Sequence, residues 1–163
     1  YDNVEEACGR LIPILKKHGM YEREVEWDKE TKGKRKGFWF HVDGALGAGY
    51  VPFLKKEGKE EDNSYQFPDF DFKLDIQSIV TSGHKWMGAP WPCGIFMTKN
   101  RYLISNDVPD YVGSLDSTLA GSRNGFTPLI FWDYLSQRSH KDLAHEVRKA
   151  LELADYAYKQ LNK

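Results

Sequence analysis

Residues 81–99 read TSGHKWMGAPWPCGIFMTK and constrain the fold more than any other stretch. An apolar, β-prone run at 76–80 leads into them, and a second strand-like run at 93–98 closes them. Between the two, His84 and Lys85 occupy a turn bounded by glycine. Apolar strands of this kind predict a sheet covered on both faces, as in parallel α/β folds. A lysine at the margin of such a sheet needs an anionic partner, a covalent partner or a route to water. The covalent option is the informative one, because a desolvated lysine has a lowered pKa and can condense with an aldehyde.

A second stretch, residues 38–52 (FWFHVDGALGAGYVP), supplies the complement. Its apolar run at 38–42 predicts the first clear strand and ends on Asp43, followed by the small residues Gly44, Ala45, Gly47, Ala48 and Gly49. A carboxylate at a strand end, beside residues too small to fill space, leaves room for a flat ligand. Aspartate and lysine on neighbouring strand ends suit pyridoxal phosphate, whose aldehyde takes the amine and whose ring nitrogen takes the carboxylate. Spacing alone leaves blander readings open: Lys85 as a surface lysine, Asp43 as a turn or helix cap.

The segments HVDGAL, SGHKWMGAPWPCG and GSRNGFTPLIFW (residues 121–132) together resemble, in this order, the pyridoxal-phosphate-dependent amino-acid decarboxylases of group II. The resemblance is strongest to the histidine and serine decarboxylase branch, and it runs along nearly the whole chain. It implies an α/β fold, part of the large domain of a fold-type I enzyme, with a mostly parallel sheet flanked by helices. Residues 1–135 are then the second half of that domain, and 136–163 a long helix leading toward a small C-terminal domain. Family members are more than twice as long, which implies a fragment lacking the phosphate-binding loop and the ring that stacks on the cofactor. Such a fragment is expected to be inactive alone, and a noncatalytic role is the reading opposed to the enzyme.

The resemblance also assigns roles. Lys85 carries the Schiff base, Asp43 pairs with the pyridine nitrogen, Ala45 lies against the ring, and Ser82 and His84 approach the phosphate. Ser122 reaches the phosphate of the neighbouring subunit, so the active site is shared across a homodimer. For His84 a packed core histidine stays open, for Ser122 a helix cap, and for Ala45 simple backbone packing. His41, two residues before Asp43 on the same strand face, is either a donor to Asp43 or structural. The reaction implied is decarboxylation of an L-amino acid, histidine-like by motif, to its amine. Aminotransferase and carbon–carbon lyase chemistry share the same lysine and aspartate.

Composition narrows the partners. With 23 basic and 24 acidic residues among 163, the chain has no charge excess to draw it to nucleic acid or a membrane surface. No run reaches a transmembrane length. Cys8 and Cys93 fall on unrelated elements and predict no disulfide, so a reducing cytoplasm is expected. Asp69, Asp71 and Asp75 lack the glycine of a calcium loop, and His41, His84 and Cys93 match no zinc spacing, so no metal is expected.

Elsewhere, Asp2 is expected to cap a helix with Val4, Cys8, Leu11 and Leu15 at helical spacing, Pro13 to kink or restart it, and Gly19 to stop it. Residues 21–36 read as a solvated loop, as do 55–66. From Asn100 the chain reads as irregular until a helix near Pro128 with Leu129, Phe131, Trp132 and Leu135 on its apolar face. After a break at Ser139, a helix over 141–161 carries Leu143, Val147, Leu151, Ala154, Tyr158 and Leu161 on one face.

Overall fold

The computed structural model describes residues 3–26, 32–55, 67–102 and 122–162. Most of the expected 55–66 loop and most of the irregular stretch after Asn100 lie outside the described residues. In chain order the elements are α1 (Val4–Lys17), β1 (Glu22–Glu26), β2 (Lys32–Lys36), β3 (His41–Asp43), α2 (Val51–Lys55), β4 (Ser78–Ser82), β5 (Gly94–Thr98), α3 (Phe126–Ser136) and α4 (His140–Leu161). The sheet order is β3-β4-β5, with β1 and β2 forming a separate pair. No helix among the described residues is long and apolar enough to cross a membrane.

The chain divides into two compact units. The first comprises Tyr1–Asp43, Pro68–Ile79 and Phe96–Tyr102. Here α1 is capped by Asn3, whose side chain accepts the Glu6 N–H at 2.9 Å, and the expected cap Asp2 lies outside the described residues. Glu5 and Glu6 in the first turn and Lys16 and Lys17 in the last complement the helix dipole. Pro13 does not restart the helix, which runs through it and stops before Gly19 at φ +66°.

The expected loop at 21–36 is instead an antiparallel pair. Its register sets Glu22 opposite Lys36, Arg23 opposite Arg35 and Glu24 opposite Lys34, so charged residues stand in place of an apolar alternation. Sequence periodicity misses such a pair because neither face is apolar. Beneath it, the Asp75 carboxylate accepts from the Tyr21 hydroxyl at 2.6 Å and from Lys36 Nζ at 3.0 Å. Burial pushes the Asp75 carboxyl up, but the Tyr21 hydroxyl and Lys36, with Lys99 behind them, outweigh it and hold it below the ordinary range. Burial works against the charge on Lys36, yet Tyr21 and Asp75 raise its pKa above the ordinary lysine value.

The strand expected at 38–42 is shorter and later, at His41–Asp43, and its pattern is exposed, buried, exposed rather than covered on both faces. Phe40 N–H is diverted to the Gln77 side chain at 2.6 Å. Strand β4 likewise begins two residues later than expected. Gln77 and Ser78 are fully buried polar residues inside the run read as apolar. Both are satisfied by side-chain hydrogen bonds, as buried polar groups must be.

The second unit comprises Gly44–Phe67, Val80–Ile95 and Leu103–Lys163. Gly44 N–H donates to Val80 O at 3.0 Å and Ser82 N–H to Ala45 O at 2.9 Å, so these segments run parallel. Gly83 N–H donates to Cys93 O at 2.9 Å, and the chain returns antiparallel along β5. Helix α4 starts at Ser139, whose hydroxyl and backbone N–H form a reciprocal capping box with Asp142. Its buried residues are Leu143, Ala144 and Val147. The expected face does not continue, since Tyr158 is 70% and Leu161 87% exposed. Around α3, Leu129, Trp132 and Leu135 are exposed, and only Phe131 of the expected face is half-buried against the β4–β5 turn.

Candidate active site

Lys85 follows β4 directly, exposed in the turn formed by residues 83–87. Three features close that turn. Gly83 N–H reaches Cys93 O, Ala89 N–H returns to Gly83 O at 2.9 Å, and Gly88 adopts φ +66°, which favours glycine. Gly83 itself is fixed by crowding: a Cβ there would meet the Phe131 ring and lie 2.9 Å from Cys93 Sγ. Thus α3 packs where residue 83 has no side chain. Trp91 Nε1–H donates to Thr127 Oγ1 at 2.9 Å and ties the same loop to the first turn of that helix.

His84 is exposed rather than packed in a core, and its imidazole serves the turn. Cys93 N–H donates to His84 Nδ1 at 3.1 Å. Since Cys93 O already accepts from Gly83, the ring nitrogen stands where a backbone acceptor would otherwise continue the ladder. The same Nδ1 also lies 3.0 Å from Cys93 O, so the imidazole faces both backbone groups of Cys93. Ser82 ends β4, half-buried, joined to Ala45 by its own N–H. The second unit therefore brings Ala45, Ser82, His84 and Lys85 together. Ser122 is exposed in the same unit, just ahead of α3.

Asp43 is the last residue of β3 in the first unit and is exposed. Behind it, Trp39 Nε1 and His41 Nδ1 both meet Ser78 Oγ, at 2.8 and 2.7 Å. The His41 ring also stacks on Phe96, centroids 6.2 Å apart. Asp43 and His41 line a cleft of about 580 Å³ with Val4, Ala7, Cys8 and Leu11 of α1. Burial first, and then the Asp75 charge, push the Cys8 thiol in this cleft up, which disfavours its thiolate.

In the second unit Lys85, Ser82 and His84 offer an amine, a hydroxyl and an imidazole, which by their chemistry fit the aldehyde and phosphate of a phosphorylated pyridine aldehyde. Two further groups escaped the sequence reading. Thr81 Oγ1 and Trp86 Nε1, flanking the SGHK stretch, are buried and meet no hydrogen-bond partner among the described residues. A polar residue inside a buried strand and an indole beside the lysine were the available signals.

A family model described as the pyridoxal-dependent decarboxylase conserved domain matches residues 12–163. The chain is 37% identical over 142 residues to a histidine decarboxylase of Vibrio campbellii, covering 85% of this chain and 34% of that one. To serine decarboxylase 1 of Oryza sativa subsp. japonica it is 36% identical over 129 residues, covering 78% and 24%. L-methionine decarboxylase from Streptomyces sp.590, solved in its internal aldimine form, superimposes with a TM-score of 0.86 at 46% identity, covering 99% of this chain and 36% of that one. The chain thus spans about a third or less of the length of these relatives.

Proposed function

We propose, since this chain belongs to the pyridoxal-dependent decarboxylase family, that the protein removes carbon dioxide from an L-amino acid and releases the amine. Its α/β architecture is that of part of a fold-type I large domain. The observation that carries the proposal is Lys85, exposed on a turn that glycine, Phe131 and the His84–Cys93 hydrogen bond hold in place.

When bound, pyridoxal phosphate supplies an aldehyde that captures an amino group and a ring that accepts the electron pair left as carbon dioxide departs. Lys85 holds the aldehyde end through its ε-nitrogen. Asp43 keeps a proton on the ring nitrogen by its negative charge, which makes the ring a better electron acceptor. Ser82 and His84 donate to phosphate oxygens, and the small side chain of Ala45 leaves space for the ring. Ser122 serves the phosphate of a second subunit, which makes the working unit a homodimer. Residues 136–163 lead toward a smaller C-terminal domain. The free thiols of Cys8 and Cys93 favour a reducing, cytoplasmic setting.

The motifs put histidine first as substrate. The higher identity to the methionine enzyme, 46% against 37%, sets L-methionine beside it. The test is to supply the full-length protein and pyridoxal phosphate with L-methionine, L-histidine and L-serine, then measure carbon dioxide and amine. Amino-group transfer without carbon dioxide would overturn the decarboxylase assignment in favour of an aminotransferase.

A further inference from the structure

The side chain of Ser78 is completely buried, and its hydroxyl has two partners among the described residues. Trp39 Nε1–H can only donate, so at 2.8 Å Ser78 Oγ accepts from it. The hydroxyl proton then needs an acceptor, because a buried donor left unmade is costly. His41 Nδ1, at 2.7 Å, is the acceptor within reach. An Nδ1 that accepts carries no proton, and a neutral ring must then carry it on Nε2. The Phe96 ring, tilted 22° from the imidazole plane, stacks on the ring so oriented.

Strand alternation sets the rest. Val42 is buried at 7% exposure, and His41 and Asp43 project together from the other face of β3. We propose that Trp39 and Ser78 fix His41 as its Nε2–H tautomer, and that His41 is thereby a positioning residue that presents an N–H donor on the face of β3 carrying Asp43. This rests on the reading of Asp43 as the partner of the pyridine nitrogen. An N–H donor there orients the carboxylate, which that role requires.

Two measurements test it on the full-length protein. Nitrogen NMR of histidine-labelled protein, with His41 assigned through its Leu variant, is expected to show protonated Nε2 and bare Nδ1, and Ser78→Ala to yield a tautomer mixture. A protonated Nδ1 in the native protein overturns the proposal. Absorbance titration with pyridoxal 5′-phosphate is expected to show about tenfold weaker binding for Ser78→Ala and His41→Leu, the worth of one charge-assisted hydrogen bond. His41→Gln, whose amide can place an N–H near the Nε2 position, is expected to restore most of that loss. Equal losses for Leu and Gln mean a structural role and overturn the proposal. If Asp43→Asn weakens binding while neither His41 variant does, the His41 proposal alone falls; if Asp43→Asn also changes nothing, the reading of Asp43 falls with it.

Discussion

Asp43 and Lys85 are held by different kinds of force. The carboxylate ends a strand backed by side-chain hydrogen bonds, with the Ser78 hydroxyl between Trp39 and His41 and the Asp75 carboxylate accepting from Tyr21 and Lys36. The amine sits on a turn held by backbone bonds and by close packing of a ring over a glycine. A polar scaffold fixes direction and responds to pH. A packed one fixes position and responds to volume. The difference suits the work assigned to each, since a carboxylate paired with a ring nitrogen must keep its charge and its aim, whereas an amine that bonds and releases an aldehyde carbon needs a rigid base beneath a free side chain.

The hardest blow to this contrast is at the amine itself. Lys85→Ala in the full-length protein is expected to lower decarboxylation by about a thousandfold or more, while its thermal midpoint stays near wild type. Borohydride treatment with cofactor should label the Lys85 peptide in the wild type and nothing in the variant. Labelling of another lysine would remove Lys85 from its role.

Volume is the next lever. Gly83→Val drives carbon atoms into Phe131 and Cys93 and is expected to destabilise the protein by about 3 kcal/mol in a denaturant titration. Adding Phe131→Leu should recover part of that loss. A Gly83→Val protein as stable as wild type would mean that packing does not set the turn.

On the polar side, Tyr21→Phe is expected to cost about 1.5 kcal/mol at neutral pH, as loss of a hydrogen bond to a charged group. The sign with pH follows from the two shifts. The Asp75 carboxyl is held below its ordinary value of 3.8, so its contribution is full above that pH and fades as pH falls through the depressed value. Lys36 is held above its ordinary 10.5, so its contribution is full below that pH and is lost as pH rises beyond it. Asp75→Asn should therefore flatten the acid side of the stability profile. An unchanged acid limb would show that this cluster does not set it.

The smallest effect expected is at His84. Replacing it with Ala removes the acceptor for Cys93 N–H and should cost about 1 kcal/mol, whereas Asn, whose side-chain oxygen can stand near Nδ1, should retain most of it. Equal losses from Ala and Asn would show that the ring nitrogen is not part of the ladder.

Much of this was legible in the chain. Residues 76–99 announced two strands joined by a lysine turn because apolar runs, glycine and proline are local signals. Gly19 and Ser139 marked helix ends for the same reason. The pair β1–β2 was hidden because charged residues run along both strands and no apolar alternation marks them. Strands β3 and β4 were placed early because Phe40 and Gln77 look like strand residues, yet a side-chain carbonyl takes the Phe40 amide. The part played by Phe131 depends on a contact across 48 positions of sequence that no spacing rule anticipates.

That contact has one more consequence. With a phenyl ring seated in the gap at residue 83, and Trp91 hydrogen-bonded to Thr127, helix α3 braces from two points the turn that carries the amine. The exposed indole of Trp132 stands one residue along the same helix.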